Sequence, residues 1–156
     1  MKGRTFPLKY LLASLCLLFS SFAFAGLGES EESCSRELPP DHQIVDAGKY
    51  RIHVATGIEG GGISEYVTNS GIVFAFTWSG SSHHPNLEKF LGKHLGEYHA
   101  HASEFKRKAG PKVNRRTIQV KTENVVFEMG GHMRSVSGRM YVPSLFPAGV
   151  TANDIK

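Results

Sequence analysis

Residues 63–78 constrain the fold more than any other part of the chain. Ile63–Thr68 alternates apolar and polar residues, and Asn69-Ser70-Gly71 supplies a turn in which Asn and Gly tolerate positive φ. Ile72–Trp78 follows directly. It sets large side chains (Ile72, Phe74, Phe76, Trp78) on one face and small ones (Val73, Ala75, Thr77) on the other. A strand without a strongly polar face belongs in the middle of a sheet. The segment therefore predicts a β-hairpin whose second strand is central.

Period-two patterns recur at Tyr50–Ala55, Arg116–Lys121, Asn124–Met129 and Met133–Val142. Between them the period changes. Leu87, Phe90, Leu91, His94, Leu95, Tyr98, Ala102 and Phe105 follow helical spacing, with Glu88, Lys89, Lys93, Glu97 and Lys106 largely opposite. Pro85 suits the first turn of that helix and Gly110-Pro111 ends it. Gly92 and Gly96 weaken it by roughly 1 kcal/mol each against Ala; four apart, they also admit a second element close to the helix. Residues 143–150 are apolar but broken by Pro, which suits a loop packed over the core. The expected fold is α+β, an antiparallel sheet of about six strands with one amphipathic helix packed on it, in the order β-β-β-α-β-β-β.

The first 25 residues read as an address. Lys2, Arg4 and Lys9 lead into the apolar or small residues 11–24, and Ala23-Phe24-Ala25 precedes Gly26. This is the pattern of a secretory signal peptide cleaved after Ala25, so the expected location is periplasmic or extracellular. The apolar run is shorter than the roughly 20 residues of a membrane span, and no later segment approaches that length. Leu15 before Cys16 departs from the small residue that precedes a lipid-modified cysteine. Cleavage would leave 131 of 156 residues, and 18 Lys+Arg would fall to 15 against 14 Asp+Glu. The net charge then drops from +4 to +1, which gives no case for nucleic-acid binding. Residues 26–43 are polar and acidic, contain Pro39-Pro40, and read as a flexible lead to a single domain over 44–156. Cys34 would be the one remaining cysteine, open to an intermolecular disulfide but not an internal one.

Signatures of known chemistry are missing. No nucleophile elbow, H-E-x-x-H or C-x-x-C occurs, and Gly60-Gly61-Gly62 lacks the Lys-Ser/Thr of a phosphate loop. No cofactor is implied. Histidine is enriched, with eight residues, but a metal needs imidazoles converging within about 2 Å of one ion. His94, His99 and His101 lack the three- or four-residue helical spacing for that, and His94 and His101 stand roughly 10 Å apart. No metal site is expected. Alternation puts Arg139 and Tyr141 on one face of the last strand. With Trp78 and His132 they are the candidate ligand-binding residues of a polar-aromatic groove; ordinary cross-strand pairing of Arg with Glu65 and Glu128 is the plainer account. No catalytic residue is assigned. An enzymatic alternative, hydrolase-like or metal-dependent, would use His132 with Glu65 or Glu128, and requires the fold to bring them together.

Three blocks carry a resemblance. They are Glu65-Tyr66-Val67 through Gly71-Ile72-Val73-Phe74-Ala75-Phe76-Thr77-Trp78-Ser79-Gly80, then Pro85-Asn86-Leu87 with Leu91-Gly92, then Gly131-His132-Met133-Arg134 through Gly138-Arg139 to Pro143. The chain resembles the exported bacterial proteins of domain-of-unknown-function family 2844 over nearly all of the segment beyond residue 25. The resemblance implies export and one domain, and carries no activity, cofactor, partner or catalytic residue. The function expected is therefore that of a small exported binding or envelope-associated module.

Overall fold

The computed structural model describes residues 26–36, 38–58, 61–81, 86–109, 117–132 and 135–156. The expected signal segment, with Cys16, lies outside them, as do His83, His84, Pro85, Gly110, Pro111, Met133 and Arg134. The strands are β1 (Gln43–Asp46), β2 (Tyr50–Ile58), β3 (Gly61–Thr68), β4 (Val73–Ser81), β5 (Thr117–Lys121), β6 (Val126–His132) and β7 (Ser135–Tyr141). They form one antiparallel sheet in the order β1-β2-β3-β4-β7-β6-β5. The strand with two non-polar faces, β4, is the middle of the seven. The expected hairpin is β3–β4, closed by Thr68 N–H to the Ile72 carbonyl at 2.9 Å.

Both faces of the sheet are covered. On the first, Phe76, Trp78, Ile63, Val67, Met140 and Phe127 pack under the helices. These are α2 (Leu87–Leu91), a 3-10 turn over Gly92–His94, and α3 (Leu95–Ala109). The Asn86 side chain caps α2 by accepting from Glu88 N–H at 3.0 Å. Leu91 is fully buried, and Leu95, Tyr98 and Ala102 pack beside it. Glu97 departs from the expected outer face and binds Asn124 in the β5–β6 turn. On the second face Phe74, Tyr66 and Tyr141 meet Phe146, Val150 and Ile155. The Pro-broken segment after β7 is thus a cover for half of that face.

The sequence reading is corrected in four places. A bulge at Phe74, between the Tyr66–Ala75 and Val67–Val73 pairs, puts Phe74 with Ala75 on the face opposite Phe76 and Trp78. Seven strands are present rather than about six, because Gln43–Asp46 pairs with β2 as an edge strand. The single helix is interrupted at Gly92, whose φ of +51° breaks the helical path. Residues 26–38 are not a flexible lead. They carry α1 (Glu31–Ser35) and bury Leu27, Cys34 and Leu38 in the first core. Backbone bonds from Leu27 N–H to Phe90 O, Gly28 N–H to Val73 O and Val73 N–H to Glu29 O lock this segment between α2 and β4. Cys34, at 3% exposure, is not presented for a disulfide to another chain. Gly92 does admit a close neighbour, namely the backbone of Gly26, whereas nothing lies within 4 Å of a Cβ built on Gly96.

Gly138 has the most specific role of the glycines. It lies opposite Trp78, and the indole covers it so closely that a Cβ would overlap the ring. A side chain here would displace the largest group in the core. Gly138→Ala is expected to cost about 2 kcal/mol or more by overpacking. Gly96→Ala, in open space on α3, is expected to stabilise by about 0.5 kcal/mol. Urea unfolding of the two variants reads both signs.

Candidate functional site

The uncovered half of the second sheet face is a trough. Strand register places six side chains in one row across six strands: Val54, Ser64, Thr77, Arg139, Glu128 and Gln119. A second row holds Thr56, Gly62 and Ser79, then, past an irregularity in the β4–β7 pairing, Ser137, Gly130 and Thr117. With Ile155 and Lys156 along one side, these rows line a cleft of 660 Å³. At the usual strand spacing the trough runs about 24 Å across the sheet. Its floor is small and rich in hydroxyls; Ile63, Trp78, Ile118 and Met129 also border the cleft, although their side chains belong to the core of the first face.

Arg139 closes one wall. Its Nε donates to Glu128 Oε2 at 2.6 Å, and its Nη1 donates to the carbonyls of Ala152 and Ile155. Burial raises the Glu128 pKa, but hydrogen bonds from Arg139 and Gln119 outweigh it and hold the carboxyl below its ordinary value. Tyr66 and Thr77 hydroxyls donate to the Lys156 carbonyl at 2.7 and 3.2 Å. The trough floor therefore offers neutral groups and one neutralised ion pair, with the cationic side chain of Lys156 at its edge.

Of the four expected groove residues, three have described side chains, and Arg139 and Tyr141 are the two that lie together. Arg139 and Tyr141 share the second face, with the guanidinium 5.7 Å from the Tyr141 ring centre. Burial, then the charge of Glu128, raises the Tyr141 pKa. Trp78 points to the opposite face, where it packs on Phe127, and its Nε1 is buried without a hydrogen-bond partner among the described residues. His132 ends β6 and its side chain lies outside the described part. Glu128 lies four residues back along the same strand, about 13 Å away, and Glu65 lies three strands across. Arg139 with Glu128 is the plain cross-strand pair.

A polar cluster missed by the sequence reading lies on the first face, under α1. Arg51 Nη2 donates to Glu31 Oε2 at 2.6 Å, and His53 Nε2 to Glu31 Oε1 at 2.8 Å. His53 Nδ1 meets His42 Nε2 at 3.0 Å, and His42 Nδ1 meets the Pro39 carbonyl at 2.7 Å. Both ends of this chain are acceptors, so each needs an N–H, and the contact between the rings needs a third. Arg51 and His53 alternate with apolar residues and read as a solvent face; α1 covers them instead. Among the described residues, no group of three or more His, Cys, Asp and Glu is placed to hold a metal ion.

Adjacent carboxylates on α1 should differ sharply in worth. Glu31 pairs with half-buried Arg51 and accepts a hydrogen bond from buried His53, so Glu31→Gln is expected to cost about 2 kcal/mol in urea unfolding. Glu32 makes an exposed pair with Arg36, and Glu32→Gln is expected to change stability by less than about 0.5 kcal/mol.

No curated protein and no solved structure matches the chain. A family model described as protein of unknown function (DUF2844) matches residues 23–155. That span takes in all seven strands, the helices on the first face and nearly all of the segment covering the second. The chain belongs to the DUF2844 family.

Proposed function

We propose that this protein is an exported, non-catalytic binding module that holds an elongated, uncharged polar chain in the trough across its sheet. The observation that carries the reading is the trough itself. One row of hydroxyl-bearing or glycine positions and a second of mixed, mostly polar ones run across six strands and, apart from the buried Thr77, stay partly or fully exposed, while the rest of the same face is packed. An elongated ligand can match donors and acceptors repeated at strand spacing. On the floor a strongly charged ligand finds no free counter-charge among the described residues, since Arg139 is committed to Glu128 and to two carbonyls, and Lys156 stands at the edge. Export is supported by the basic start, the apolar run and Ala23-Phe24-Ala25.

The test blocks the trough from a position that carries no core packing. Ser137 is exposed on β7, so Ser137→Trp fills the floor without touching the buried faces. Calorimetry against a panel of neutral oligosaccharides and uncharged extended peptides is expected to find a binder for the native chain. Ser137→Trp is expected to lower that affinity at least about tenfold with an unchanged melt, a loss near 1.4 kcal/mol. Binding unaffected by Ser137→Trp, or no binder in either class, overturns the reading.

A further inference from the structure

Glu65 is an acid set in a row of core side chains. Strand register lines up His53, Glu65, Phe76, Met140 and Phe127 across five strands on the first face. Phe76, Met140 and Phe127 belong to the core there, and Glu65 is buried as completely as they are. Neither of its carboxylate oxygens has a hydrogen-bond partner among the described residues. In such a place an ionised carboxylate costs far more than a protonated one.

The charged groups around it are committed to one another. On β2, His53 stands directly opposite Glu65, but its ring nitrogens meet Glu31 at 2.8 Å and His42 at 3.0 Å. Arg51, two residues along β2 on the same face, is held by Glu31 at 2.6 Å. On β3 the residues two places to either side are Ile63 and Val67, and on β4 the partner is Phe76; none of these titrates. From α1 come Glu31 and Cys34, three residues apart and so on one side of the helix. The bonds of Glu31 to Arg51 and His53 set that side over β2 next to Glu65, and Cys34 is buried in the same core as Phe76. Glu29, just before α1, pairs with Lys93 at 3.5 Å. The α1 segment itself, EESCS, carries no cation. Burial, then the charge of Glu31, pushes the Glu65 carboxyl up to about 8, and burial pushes the Cys34 thiol up to about 11.

We propose that Glu65 is a proton-operated catch for the N-terminal cover: with its carboxyl protonated, residues 26–38 close over β2 and β3, and when the proton leaves to water the buried charge, set against the carboxylate of Glu31, lifts that cover off the sheet. The opening is local. β3 keeps its ladders to β2 and β4, and the second face keeps its own cover, when residues 26–38 leave. The cover is tied on by backbone bonds to Phe90, Gly71 and Val73, by Glu31, and by the packing of Leu27, Cys34 and Leu38. In the open form water reaches Glu65, which then ionises near 4.5, against about 8 in the closed form. Closure is favoured in full below the lower value, and that advantage is lost as pH rises toward the upper one.

Alkylation of Cys34 by iodoacetamide reads the opening. It is followed by peptide mass from about pH 6 to about pH 9 on the full chain. Each rate is divided by that of the same chain unfolded in urea at the same pH, which removes the titration of the thiol itself. In the native chain the ratio is expected to rise about tenfold per pH unit up to about 8 and then level off. Glu65→Gln, neutral at every pH, is expected to hold it flat. Hydrogen exchange on the native chain gives a second readout. The Leu27 and Gly28 amides, bonded to Phe90 and Val73, are expected to lose protection in step with the ratio. The Val142 amide, bonded to the Phe74 carbonyl of β4, is expected to stay at least about tenfold better protected at every pH. A ratio that does not rise with pH in the native chain overturns the catch. An equal rise in a folded Glu65→Gln chain also overturns it, because another group would then carry the proton. Equal protection of Leu27, Gly28 and Val142 overturns it as well, because the opening would then be global unfolding. Should Glu65→Gln fail to fold, the two readouts on the native chain decide.

Discussion

Everything in this fold follows from the middle strand. β4 has no polar face, so burying Phe76 and Trp78 on one side and Phe74 on the other demands cover twice over. The helices after β4 supply part of the first cover, and residues 26–38 supply the rest. Residues 143–156 supply the second. Each cover is fastened to the sheet by backbone bonds or by carbonyls caught by side chains, as with Val73 on the first face and Arg139 on the second. Apolar burial at about 25 cal/mol per Å² drives both, and the hydrogen bonds fix where each cover sits.

The two covers differ in character. The C-terminal one rests on aromatic edges: Phe74 meets Tyr50, Tyr66 and Phe146 edge-on. The N-terminal one brings charge under it, through Glu31, His53, Arg51 and Glu65. Burying such groups costs free energy unless each finds a partner, and neither Glu65 oxygen has a hydrogen-bond partner among the described residues. A purely apolar seam would be cheaper to bury, so this polar one reads as a device for position. Glu31 can satisfy Arg51 and His53 together only when α1 lies in one register over β2.

Local pattern revealed the strands whose alternation is long enough to stand alone. The β3–β4 hairpin, the last three strands and the helical stripe through Leu91 and Leu95 were all legible. β1 was not, because four residues of mixed character between polar neighbours carry no period. Nor was α1: five residues are too few to be helical by propensity, and tertiary contacts hold them, through packing of Leu27, Cys34 and Leu38 and the bonds of Glu31 to Arg51 and His53. The groove failed for a different reason. Placing Arg139 and Tyr141 together needed only the alternation of one strand. Placing Trp78 with them needed the register between β4 and β7, which pairs Trp78 with Gly138 and Thr77 with Arg139. Register between strands some 60 residues apart is a property of the whole sheet, and Gly138 shows its meaning only once the indole lies on it.

The trough is what remains when these demands are met. Where the second face is covered, its side chains are large: Tyr66, Phe74 and Tyr141. Beyond Arg139 and Thr77, toward the Gly62 and Gly130 end, the same face carries Ser, Thr and Gly, too small to form a core and unable to exclude water alone. Stability does not call for such a surface across the middle of a sheet, since larger β-branched or aromatic side chains would strengthen cross-strand contacts on those rows. The Arg139–Glu128 pair stands at the boundary and binds the covering segment on its near side, which stops that segment from spreading over the small residues. A floor kept low beside a wall held in place is the shape of a site that receives a chain from outside the molecule.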